Sequence, residues 1–199
     1  MSIARLGELL SQYRAWVERD MDGAFHARRE VEAKQGKLLA CGEGCDHCCH
    51  YFITIGPADA LRIALRLRHD GLDTLETRAA LMRWHEHFEQ VEFSAERYNR
   101  KWLTCLFLKD GQCSIYEDRP VVCRLCNALG TNAGCLRSDV PIPHEVINVK
   151  DLKARNHEGS KMFAAAAWTP VEGSMPEMVV WALDELAFMD ARERACEET

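Results

Sequence analysis

Cysteine is the residue whose placement in this chain could do chemistry. Ten cysteines occur among 199 residues, nine of them between Cys41 and Cys135, with Cys196 apart. The first group runs Cys41-Gly42-Glu43-Gly44-Cys45-Asp46-His47-Cys48-Cys49-His50, placing four thiols within nine residues. A Cys-x2-Cys pair such as Cys45 and Cys48 turns tightly enough for both sulfurs to reach one metal, and Gly42 and Gly44 permit the backbone such a turn needs. Adjacent Cys48 and Cys49 point in different directions, which implies two sites, or one site with an outer thiol. The second group is Cys105, Cys113, Cys123 and Cys126. On a short helix Cys123 and Cys126 share a face near the N-terminal end, where the partial positive charge favours thiolate. Arg119 and Arg124 can offset further negative charge. These eight cysteines are the candidate metal ligands. Cys49 and Cys105 stand 56 positions apart, so the two groups must fold together, with metal closing the intervening loop and stabilising the fold.

Other chemistries fare worse. His47 and His50 can supplement the thiolates, but enough cysteines exist to fill a tetrahedral shell without them. Cys135 is open between ligand and plain thiol, and Cys196 reads as a free thiol. Trp84-His85-Glu86-His87 spaces its histidines two apart, which on a helix diverge by about 200° rather than sharing a metal, so these histidines read as a solvated face. Neither Cys-x2-Cys pair is followed by His, which excludes c-type haem attachment. Phosphate cradles and serine-nucleophile motifs are absent. Zinc in closed thiolate shells is the first expectation for the cofactor. Iron, or an iron-sulfur cluster serving electron transfer or a partner enzyme, is the alternative, since both accept four thiolates. A metal-dependent modification enzyme is a third reading, with Glu43, Asp46, His47 and His50 as nearby titratable groups. No convergent acid-base set supports it, and the expectation leans away from an enzyme.

The elements that must position these thiols read as helical. Residues 3–35 carry Ile3, Leu6, Leu9, Leu10, Tyr13, Trp16, Val17, Met21 and Ala24 at spacings of mostly three and four, one apolar helix stripe that stops at Gly36. An extended stretch at Tyr51–Ile55 precedes a helix from Pro57 to about Gly71. Asp73 with Glu76 predicts the cap of another, running through Leu81, Trp84, Phe88 and Val91 toward Arg100. A small hairpin, or two extended strands, turns at Lys109-Asp110-Gly111. Asp118 before Pro120 predicts the cap of a short helix through Ala128 that ends at Gly130. A weakly patterned helix at 151–168 precedes a last one, capped by Ser174 and Glu177, with Met178, Val179, Trp181, Ala182, Leu186 and Met189. The expected fold is mainly α, a helical single domain with a cysteine-rich metal-bound loop region and short extended segments. Within it, residues 1–36 form an N-terminal helix, 37–130 the cysteine-cluster unit with a helical insertion at 57–100, and 131–199 a C-terminal loop and helices.

Composition narrows the partners. A net charge of -6 and a pI near 5.8 argue against nucleic acid, whose binding is driven by neutralising phosphates. Stretches without a formal charge reach only twelve residues, short of the roughly 18 that span a bilayer. Arg5, Glu8, Arg14, Glu18 and Arg19 occupy the place of a secretory leader's apolar run, so a cytoplasmic chain with reduced thiols is expected. The metal ion is the expected partner. The amphipathic last helix also allows a protein partner.

Residues 41–130 resemble the YkgJ-type cysteine-cluster family, the CxxCxxCC domain known as zinc- or iron-chelating. The resemblance rests on the first cysteine group, then Cys105-Leu106-Phe107-Leu108, Gly111-Gln112-Cys113-Ser114-Ile115-Tyr116-Glu117-Asp118-Arg119-Pro120 and Val121-Val122-Cys123-Arg124. The second half is the specific part. It implies chelation by Cys45, Cys48, Cys49, Cys105, Cys113 and Cys123, and by Cys41. Three residues separate Cys41 from Cys45 where the family has two, and Cys126 and Cys135 lie beyond its core pattern.

Overall fold

Ser2 opens the first helix by accepting from the Arg5 N–H at 3.2 Å, as a serine at that position is suited to do. The computed structural model describes residues 2–36, 45–90, 104–125, 161, 163 and 172–197. Helix α1, Ile3–Trp16, buries Leu6, Leu9, Leu10, Tyr13 and Trp16. It runs into a π-helical segment, Val17–Asp22, and on into α2, Gly23–Lys34. Gly36, at φ +78°, follows. The single helix expected over 3–35 is therefore continuous but holds a wider turn, which shifts the side chains after it around the axis.

The core is built on α3, Pro57–His69. Pro57 occupies the first turn and Gly71, at φ +68°, follows the end. Ala58, Ala60, Leu61, Ile63, Ala64 and Leu67 are buried around most of its circumference, the pattern of a helix surrounded by others. A long last helix, Met175–Glu197, packs on it, and helix α4, Leu75–Gln90, packs on that last helix. The last helix buries Met178, Val179, Ala182, Leu183, Leu186 and Met189. One arm of its expected capping box is in place: the Ser174 N–H donates to Glu177 Oε2 at 3.3 Å, with Pro176 in the first turn. Arg68 pairs with Asp73 and Asp190, and Arg78 with Asp73 and Asp184, tying the three helices at their rims.

Two short antiparallel pairs complete the described fold. Strand β1, Thr54–Ile55, pairs with β4, Gly173–Ser174, Thr54 lying opposite Ser174. Strands β2, Leu108–Lys109, and β3, Gln112–Cys113, form the expected hairpin. Asp110 at φ +51° and Gly111 at φ +75° make its turn, the left-handed pair a two-residue hairpin requires. A 3-10 turn at Tyr116–Asp118 leads to α5, Val121–Leu125. We number the last helix α6.

Three local expectations are corrected. Thr74, not Asp73, caps α4: its Oγ1 accepts from the Thr77 N–H at 3.2 Å, while Asp73 is drawn off by Arg68 and Arg78. Asp118 does not cap α5 either, because Arg62 and Arg66 hold it. The Val121 N–H donates instead to Asp59 Oδ2 at 3.1 Å. Trp84 is buried on the apolar side of α4 and His87 is exposed, both as expected, but His85 is not solvated: it is half-buried, with Nδ1 3.0 Å from Ser174 Oγ. The continuation of α4 beyond residue 90, and of the short helix beyond 125, lies outside the described residues, as does most of the helix expected at 151–168. Within the last, Phe163 is buried and stands edge-on to Tyr13.

Candidate metal centre

The two cysteine groups meet through the backbone. His47–His50 forms a 3-10 turn, held by the Cys49 N–H donating to the Asp46 carbonyl at 2.8 Å. The Cys105 N–H in turn donates to the Cys49 carbonyl at 2.7 Å, joining the groups across the helical insertion. Cys105 begins a turn closed by the Leu108 N–H on its own carbonyl. The hairpin then brings Cys113 opposite Leu108, and α5 carries Cys123.

Cys45, Cys48, Cys49, Cys105, Cys113 and Cys123 all line one cavity of about 660 Å³. All six are half-buried and none is in a disulfide. Cys41 and Cys126 lie outside the described residues, as does Cys135. The apolar wall includes Phe25, Ile53, Trp84, Phe107 and Met175, with Trp84 edge-on to Phe107. Asp46, His47 and His50 are not among the described residues that line it. His50 instead lies with Nδ1 3.4 Å from Thr104 Oγ1.

The thiols sit where ionisation is costly without a cation. A hydrogen bond to Cys49, then burial, pushes the Cys48 thiol far above its ordinary value. Burial pushes Cys105 up to about 12 and raises Cys113 as well, although the Ile115 N–H and Arg119 pull Cys113 part of the way back. Cys105 is raised further by Cys113 and Cys48, and Cys113 by Cys48, which puts these sulfurs within electrostatic reach of one another. Arg119 stands beside them with its guanidinium 3.9 Å from the centroid of the Tyr116 ring. Among the described residues, no three His, Cys, Asp or Glu side chains already stand in a metal-holding arrangement. The chain gathers six of its sulfurs at one cavity.

Residues 40–157 match the family model of the CxxCxxCC domain, described as a "Putative zinc- or iron-chelating domain". The chain belongs to the CxxCxxCC family. Neither a curated protein nor a solved structure matches it. The CxxCxxCC description fits the donor set: thiolate sulfur is the common ligand of zinc and of iron-sulfur clusters, and buried thiols that resist ionisation are donors that a cation deprotonates. The cavity wall extends past the matched residues. Asp22, Phe25, His26 and Arg29 line it from the end of the π-helical segment and α2, and Met175 from α6. Cysteine spacing carried no sign of these residues, and Asp22, His26 and Arg29 sit on what reads as the polar side of an amphipathic helix.

Proposed function

We propose that this CxxCxxCC protein is a thiolate metal-binding protein whose described ligands come from Cys45, Cys48, Cys49, Cys105, Cys113 and Cys123. Cys41 and Cys126 are the further candidates. The observation that carries this is the arrival of six cysteines, from stretches 56 positions apart, at one cavity. Zinc is the first metal of the reading, in closed shells of four sulfurs. The metal supplies a positive centre that keeps the sulfurs deprotonated and ties the two stretches together. The chain's own part is to bring the donors to one place: Cys49 through its carbonyl bond to Cys105, Cys113 through the hairpin and Cys123 through α5. Arg119 sets a fixed positive charge beside Cys48 and Cys113. Its role is to offset the excess negative charge of a thiolate-rich shell.

Six thiols exceed one tetrahedral shell, and that surplus favours a second reading, an iron-sulfur protein. Anaerobic purification followed by metal and acid-labile sulfide analysis separates the two. Stoichiometric zinc in a colourless sample is the expected result. Brown protein with iron and sulfide replaces zinc by a cluster, and metal-free protein that takes up neither ion removes both readings.

A further inference from the structure

Helix α3 carries two buried charges that chelation by the cysteines leaves unexplained. Asp59 and Arg62 are 7% and 6% exposed, among Ala58, Ala60, Leu61, Ile63 and Ala64. Burying a carboxylate and a guanidinium costs several kcal/mol per ion, and apolar residues of similar size serve a core as well or better. The contacts these charges make all converge on one place. Asp59 Oδ2 accepts from the Val121 N–H at 3.1 Å, and its Oδ1 accepts from the Tyr13 hydroxyl at 3.3 Å. Arg62 Nη2 donates to the Glu117 carbonyl at 3.1 Å and to Asp118 Oδ1 at 3.3 Å. Arg66 Nη1 lies 3.6 Å from Asp118 Oδ2. Positions 59, 62 and 66 share one face of α3. Apart from the ties of Asp59 to Tyr13 and of Arg66 to Asp70, what they hold lies within residues 117–121, between Cys113 and Cys123.

Beyond these contacts the stretch is held by the burial of Pro120 and Val121 and by α5 lying against the π-helical segment. A five-residue helix is not stable by itself, and no strand pairing runs through 117–121 among the described residues. From the far side Arg124 donates to Asp22 at 3.2 Å and to the Glu117 carbonyl. Metal shells tolerate displacements of only about 0.5 Å, so whatever seats this stretch sets whether Cys123 reaches the ion.

We propose that Asp59 and Arg62 are positioning residues of the metal centre, seating residues 117–121 on α3 so that Cys123 is presented to the cavity lined by Cys113. The inference rests on the chelation reading and deepens it. The test titrates the full-length chain with cobalt(II) and then competes it with zinc, for wild type, Asp59→Leu, Arg62→Met and Asp59→Asn, each with and without Cys123→Ser. Circular dichroism of every variant reports the helical body. Asp59→Leu and Arg62→Met are expected to keep their helicity, lose about 10- to 100-fold in metal affinity, and show a weaker thiolate-to-cobalt charge-transfer band per bound ion. Asp59→Asn can still accept from Val121 and donate to Tyr13, so it stays close to wild type. In the Cys123→Ser background Asp59→Leu and Arg62→Met add no further loss, because they act through that sulfur. Wild-type affinity in both variants overturns the proposal, as do losses that add fully to Cys123→Ser. If Asp59→Leu fails to fold, the same comparison with Arg62→Met decides. A wild-type chain that binds neither ion fails the chelation reading itself, and this proposal with it.

Discussion

Cys105 and Cys196 carry the same functional group in opposite settings. Cys105 lines the cavity, its N–H committed to Cys49 and its thiol pushed up to about 12 by burial. Cys196 is exposed near the end of α6. Cys105→Ser is therefore expected to weaken zinc binding by more than the roughly 10- to 100-fold typical of residues behind the ligands, and Cys196→Ser to leave it unchanged. Competition against a chromophoric chelator measures both, and equal affinities would remove Cys105 from the ligand set. Asp59 makes a prediction of a different kind. Burial lifts its carboxyl above the ordinary 3.8, with Arg62, the Val121 N–H and the Tyr13 hydroxyl pulling partly back. The folded chain thus binds this proton more tightly than the unfolded one. Asp59's contribution to stability is fullest below the ordinary aspartate value and is lost as pH rises through the raised one. Of the groups facing it, Tyr13 is itself pushed upward by burial and stays protonated, and Arg62 and Arg124 are the positive charges beside it. The unfolding free energy of wild type minus that of Asp59→Asn, at equal metal content, should slope downward above about pH 4. A flat difference would contradict it.

At the scale of elements, α6 depends on its first turn. Ser174 is buried, gives its N–H to Glu177, and lies opposite Thr54 in the pair that anchors the helix start. Glu177→Ala, which removes the acceptor of both the Ser174 N–H and its hydroxyl, should cost about 1 kcal/mol, read as a lower urea midpoint with an unchanged slope. A midpoint equal to wild type would show that the strand pair alone starts the helix. This cap was legible because its partners sit three residues apart, as were the Pro57 start of α3 and the Asp110-Gly111 turn. Elements decided at long range were not legible. The pairing of β1 with β4 joins residues 54 and 174, and two-residue strands carry no alternation to betray them. The cap of α5 comes from Asp59, far back in the chain, so the local candidate Asp118 was misleading. The π-helical turn is equally hidden, since apolar spacings of three and four from Ile3 to Ala24 suit an unbroken α-helix. The same limit governs the site. Clustered cysteines announce themselves in sequence, whereas the wall made by Asp22, Phe25, His26 and Arg29 exists only once α2 is packed across the cavity.

For the whole molecule, two kinds of cohesion are divided between two regions. Helices α3, α4 and α6 hold together through apolar packing and rim ion pairs. Among the described residues, no helix is long and apolar enough to cross a membrane. Residues 45–53 and 104–125 are built from short turns, a two-residue hairpin and a five-residue helix, with the cavity between them. Metal held by sulfurs from both stretches would stabilise the folded chain by mass action, by about 4 kcal/mol when free zinc is 1,000 times its dissociation constant. For a chain of this length each kcal/mol moves the thermal midpoint by about 2–4 °C, so zinc should raise it by roughly 8–16 °C over a chelator-treated sample. Because α3, α4 and α6 pack mainly on one another, with Trp84 and Met175 alone among the described residues reaching from them into the cavity wall, the chelated chain should keep most of its helical circular dichroism at low temperature while losing that margin. Scanning calorimetry with zinc and with chelator, beside far-ultraviolet spectra of both, measures the two halves of the prediction. An unmoved midpoint would mean that the cysteine stretches hold their fold without a shared ion. Loss of helicity on chelation would mean that the helical body also leans on the metal, and the division between the two regions would then be wrong.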